Sequence, residues 1–92
     1  MILKGTIGKR ISDIGAGVKT ISSMLTLTRI HNALSSVAAM RRIIALANDY
    51  KERRVAFGKK LSEHQLHINV LGDLEKSYRG NLLFVLECAT LL

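Results

Sequence analysis

The stretch Glu52-Arg53-Arg54-Val55-Ala56-Phe57-Gly58-Lys59-Lys60-Leu61-Ser62-Glu63-His64-Gln65 decides how this chain folds. Before it, Ile30, Ala33, Leu34, Val37, Met40, Ile44 and Ala47 recur every three or four residues, the spacing that lines one side of an α-helix. After it, Val70, Leu71, Leu74, Tyr78, Leu82, Val85, Leu86 and Ala89 repeat the same spacing to the end of the chain. Gly58 breaks the pattern between them, and Ser62 with Gln65 three residues later reads as a capping box opening the second helix. The expected fold is therefore all-α, a long antiparallel helical hairpin with its one sharp reversal at Gly58. The first helix should run from near Val18 to about Arg53, with a weak point at Thr26 to Arg29, where β-branched residues are mediocre helix formers.

Outward from the hairpin, Met1 to Gly17 holds four of the seven glycines, and residues 1–16 read as a short extended arm. Helices of roughly 35 and 30 residues would span about 50 and 45 Å, and each would bury a single stripe against its partner. Much apolar surface is then left over. Leu66, Ile68, Leu83, Phe84, Leu91 and Leu92 fall off the stripe of the second helix, and Ile43 and Leu46 off that of the first. The chain also lacks Gly, Asn or Pro after Leu91 and Leu92 to stop the helix. These features predict a piece of a larger helical bundle, with more helices or another subunit covering the remaining faces.

Composition narrows the class. Ninety-two residues with 48% apolar content support one core at most, which excludes a two-domain enzyme within this chain. The formal charge of +7 is uneven: residues 1–60 carry 12 basic and 3 acidic side chains, residues 61–92 carry 2 and 4. An anionic partner is implied, and nucleic acid, an anionic membrane surface or a phosphate-bearing cofactor would each satisfy that field. The longest stretches without charge, Thr20 to Thr28 and Ile30 to Met40, are far shorter than the roughly 20 residues of a membrane span. Lys4, Gly5 and Gly8 interrupt the continuous apolar run that a signal peptide would need. Cys88, the single cysteine, cannot form an internal disulfide and fits a reducing, intracellular compartment, mitochondrial or cytoplasmic.

Four landmarks in order carry a family resemblance. Arg54 stands three residues before Phe57-Gly58, and Gln65 opens the next helix; Gly15-Ala16-Gly17-Val18-Lys19 lies upstream; Arg29 precedes Arg54 by 25 residues; Leu71-Gly72-Asp73-Leu74 follows. Together they resemble the acyl-CoA dehydrogenases over about residues 13–92, and Thr28 to Asn32 with Met40-Arg41-Arg42 looks closest to the branch that includes large acyl-CoA dehydrogenases of higher animals and a bacterial alkylation-response flavoprotein. The resemblance implies that residues 1–16 are the end of a middle β domain. Residues 17–92 would be part of a C-terminal helical domain, a four-helix bundle that assembles into homo-oligomers. It also implies FAD as cofactor and an acyl-CoA thioester as substrate for α,β-dehydrogenation.

By resemblance, Arg54 reaches the flavin pyrophosphate, often in a neighbouring subunit; a permanently charged planar guanidinium suits phosphate oxygens. Phe57 corresponds to an aromatic beside the cofactor, and His64 and Gln65 to a pair at the helix start that contacts the flavin nucleotide. Arg29 matches a position that contacts the acyl-CoA or shapes its pocket. Thr26 stands where the family often has Asp, which weakens that correspondence.

No catalytic residue can be nominated. The reaction needs a carboxylate to remove the α proton; most members hold it further towards the C-terminus, and a minority place Glu just before the Arg, where this chain has Thr28. His64 and His67, with Glu63, lack a convincing third ligand for a metal. Cys88 among Leu86, Ala89 and Leu91 reads as a packed thiol, and Gly5 to Lys9 lacks the spacing of a phosphate loop. The competing readings are a stand-alone basic helical module that binds nucleic acid or another anionic partner through Lys9, Arg10, Arg41, Arg42, Arg53 and Arg54, or a structural assembly module without ligand. Only Tyr50 and Phe57 accompany those charges as stacking aromatics.

Overall fold

Thr20, Ser22, Thr26 and Thr28 would each weaken a helix if their hydroxyls competed with its backbone, yet all four turn back onto carbonyls of the preceding turn. Thr20 Oγ1 donates to Ala16 O at 2.9 Å, Ser22 Oγ to Lys19 O at 2.7 Å, Thr26 Oγ1 to Ser22 O at 3.3 Å and Thr28 Oγ1 to Leu25 O at 2.8 Å. In the computed structural model, which describes residues 1–92, helix α1 nevertheless runs unbroken from Gly17 to Arg53. The weak point expected at Thr26 to Arg29 does not interrupt it. A turn leads in, with Gly15 at φ +82° and Ala16 N donating to Asp13 O at 3.1 Å. The helix closes when Arg54 turns extended and its N–H reaches Tyr50 O at 3.0 Å, with Lys51 and Arg53 complementing the negative end of the dipole.

The connection is a miniature antiparallel ribbon: β1 (Val55–Ala56) pairs with β2 (Lys59–Lys60), Val55 opposite Lys60 and Ala56 opposite Lys59. A 3₁₀ turn, Leu61–Glu63, follows, and helix α2 runs from Gln65 to Thr90. The capping box expected of Ser62 and Gln65 is not formed. Ser62 lies inside the 3₁₀ turn, His64 N donates to Leu61 O at 3.1 Å, and Gln65 Nε2 donates along the helix to Asn69 Oδ1 at 2.8 Å. Glu63 does the capping one turn earlier, its Oε2 accepting from Lys60 N at 2.8 Å.

The helices pack antiparallel, and only Val37, Ile44, Leu71 and Val85 are buried, all from the two predicted stripes. Four buried residues do not make an independent core. The radius of gyration, 22.3 Å, is nearly twice the about 12 Å of a compact chain this long, and the thinnest dimension, 14 Å, is one helical layer. Leu66, Leu83, Phe84, Ile43 and Leu91 are exposed, as their positions off the stripes predict. Residues 1–16, read as an extended arm, carry no helix or strand. No helix is long and apolar enough to cross a membrane.

Candidate functional site

The ribbon between the helices concentrates charge and aromatic surface at one end of the molecule. Residues 49–63 hold five cations and three anions. Arg53 is engaged by Asp49 one helical turn back. Arg54, at the next position, leaves the helix, and its exposed guanidinium has no ion-pair partner. Its carbonyl accepts from Leu61 N at 2.9 Å and closes the base of the ribbon. Lys59 and Lys60 are exposed on β2 and also unpaired.

At the tip, Phe57 and Gly58 both adopt positive φ, +52° and +81°, the pattern of a two-residue type I′ turn. Gly58 suits it; Phe57 does not, because a left-handed conformation brings an aromatic residue's Cβ against its own backbone. The strained Phe57 ring is also 98% exposed, so no packing in this chain rewards the conformation. It stands edge-on to His64, with ring centroids 6.2 Å apart and planes at 75°. His64 Nε2 lies 2.9 Å from Ala56 O. A shallow depression of about 360 Å³ opens here, lined by Ala56, Phe57, Leu61, His64, Leu66, His67 and Val70.

The first turn of α2 borders this depression, and no side chain caps its amides. Uncapped amides and the helix dipole favour an anion. Gln65 begins that turn with its amide nitrogen committed to Asn69, which leaves Oε1 to accept. Arg54, Phe57, His64 and Gln65 are thus brought to one end of the hairpin. Arg29 is not among them: 25 residues up α1, it lies about 37 Å away along the axis. It is exposed and unpaired, and Thr28 beside it has its hydroxyl turned onto the backbone. Cys88 is half-buried on α2. No group of three or more His, Cys, Asp or Glu side chains is placed to hold a metal ion.

His67 carries a feature that sequence reasoning missed. Its Nε2 is buried without a hydrogen-bond partner, a condition that costs about 1 to 3 kcal/mol. Among the apolar neighbours Leu66 and Val70, the only signal for it in the sequence is a polar ring on the ribbon-facing side of the helix. His67→Leu should therefore stabilise the complete protein by about 1 kcal/mol, read as a higher urea midpoint of its helical circular-dichroism signal; an unchanged or lower midpoint would refute the burial argument.

Residues 15–92 match the family model of the acyl-CoA dehydrogenase C-terminal domain. A curated protein of Caenorhabditis elegans, acyl-CoA dehydrogenase family member 11, is 49% identical over 92 residues, all of this chain. The chain spans 15% of that relative's length. No solved structure matches it significantly.

Proposed function

This chain belongs to the acyl-CoA dehydrogenase family, and we propose that its ribbon and the start of α2 form the nucleotide-binding edge of a flavin site. Residues 1–16 would be the end of the middle β domain, and residues 17–92 part of the C-terminal helical domain. The observation that carries the reading is the pairing of neighbours. Arg53 is paired with Asp49, while Arg54, whose carbonyl closes the base of the ribbon, has no ion-pair partner, and the uncapped amides of α2 and the exposed Phe57 lie at the same end of the hairpin. That set fits a dinucleotide: a cation and amides for phosphate, an apolar ring for a base.

The whole protein would be an oxidoreductase acting on an acyl-CoA thioester, with FAD supplying the acceptance of a hydride from the β carbon. The residues of this chain bind and orient; none of them is a base. Arg54 takes the pyrophosphate, Phe57 the face of the nucleotide, Gln65 Oε1 and the His64 region its polar edge, and Arg29 borders the acyl-CoA pocket at the other end of α1. The exposed apolar faces of both helices fit the remaining helices of a bundle and a homo-oligomer interface. The test is anaerobic titration of the complete purified protein with acyl-CoA. Loss of the flavin absorbance is expected; a protein that purifies without flavin and cannot be loaded with it would end this reading.

The conformation of Phe57 supplies a second test. Asparagine tolerates positive φ far better than phenylalanine, so Phe57→Asn should stabilise the ribbon by about 1 kcal/mol. The same change should weaken FAD retention in the complete protein several-fold, because the aromatic face is gone. Stabilisation with undiminished flavin content would show that the strain serves something else.

A further inference from the structure

We propose that His64 serves the nucleotide site as a positioning residue, a latch holding the Phe57–Gly58 turn against α2. The inference rests on the flavin-site reading and adds to the role that the resemblance gives His64. A carbonyl oxygen only accepts, so the 2.9 Å contact between Nε2 and Ala56 O requires the proton on Nε2. In the neutral ring the lone pair is then on Nδ1. The backbone of His64 is held as well: its N–H donates to Leu61 O at 3.1 Å, and its carbonyl accepts from Ile68 N at 3.1 Å. A residue tied at three points to ribbon, 3₁₀ turn and helix is built to fix their relative placement.

The ribbon needs such a tie. It has two residue pairs, and a two-stranded ribbon is marginal by itself even when longer. Leu61 N to Arg54 O closes its base. Towards the tip, where Phe57 holds an unfavourable φ, the one bond reaching across from α2 is that of His64. Without it the turn can relax, and Phe57 no longer stands edge-on to a fixed ring.

Two substitutions separate the latch from a direct contact. The side-chain amide nitrogen of glutamine reaches about as far as Nε2, whereas that of asparagine reaches only as far as Nδ1. In the complete protein, His64→Gln should keep FAD affinity within about threefold, and His64→Asn should weaken it about tenfold, the loss of one hydrogen bond with its ordering effect. The reverse pattern, or equal loss in both, would overturn the latch. Nuclear magnetic resonance of the protein with isotope-labelled histidine gives a readout independent of flavin: His64 should be the Nε2–H tautomer, and an Nδ1–H tautomer would overturn the proposal by itself. If Arg54→Ala and His64→Asn both leave FAD retention untouched, the flavin-site reading fails instead, and the tautomer alone decides the latch.

Discussion

Arg54→Ala is expected to lower FAD affinity of the complete protein about ten- to a hundredfold, the cost of truncating a charge-assisted contact of about 1.5 to 3 kcal/mol. Arg53→Ala should leave it nearly unchanged. The two are adjacent and chemically identical, so net charge, expression and overall field shift equally. They differ in what surrounds them: Arg53 sits in the last turn of α1 against Asp49, whereas Arg54 is the first residue outside the helix and has no ion-pair partner. Both should cost little in folding, because exposed ion pairs contribute about 0 to 1 kcal/mol. Flavin absorbance after gel filtration reads the difference. Equal occupancy in the two variants would remove Arg54 from the site.

That contrast also shows where sequence reading reaches and where it stops. The family resemblance singled out Arg54, but that Asp49 pairs with Arg53 and not with Arg54 is a matter of helical phase and of where the helix ends. The stripes were legible because burial against one partner leaves a period of three to four residues; Val37, Ile44, Leu71 and Val85 all lie on them. The weak point at Thr26 to Arg29 does not interrupt α1, because the propensity cost of its two threonines, about 0.7 kcal/mol each at most, is small within a 37-residue helix. The ribbon could not be seen, since two residues per strand are too few for an alternating pattern, and a positive φ at Phe57 runs against what an aromatic prefers. Ser62 and Gln65 offered a valid capping signature, yet Glu63 satisfied Lys60 N first and moved the helix start to Gln65. Apart from Thr26 to Arg29, which lies inside α1, the misses fall at the ribbon and the entry of α2, where local hydrogen bonds compete within about 1 kcal/mol of one another.

The second large effect concerns the 92 residues taken alone. Given FAD, an acyl-CoA and an artificial electron acceptor, they are expected to bind flavin weakly at most and to show no turnover. One edge of the proposed nucleotide site lies on these residues, but nothing on the hairpin encloses an isoalloxazine ring: the depression at the ribbon is open and shallow, and the arm of residues 1–16 packs on nothing. Proton removal fares worse. Thr28 occupies the position that precedes Arg29, its hydroxyl donates to Leu25 O at 2.8 Å, and no carboxylate stands within a turn of it on α1. Loss of a general base alone removes about 10² to 10⁴ in rate, before any loss from an unheld cofactor. The exposed apolar faces should at the same time drive self-association, visible as a concentration-dependent elution volume. Turnover approaching that of a complete family member would mean that a base and a flavin cradle arise from these residues in an arrangement unlike this hairpin, and the proposed division of labour between this segment and the rest of the protein would have to be given up.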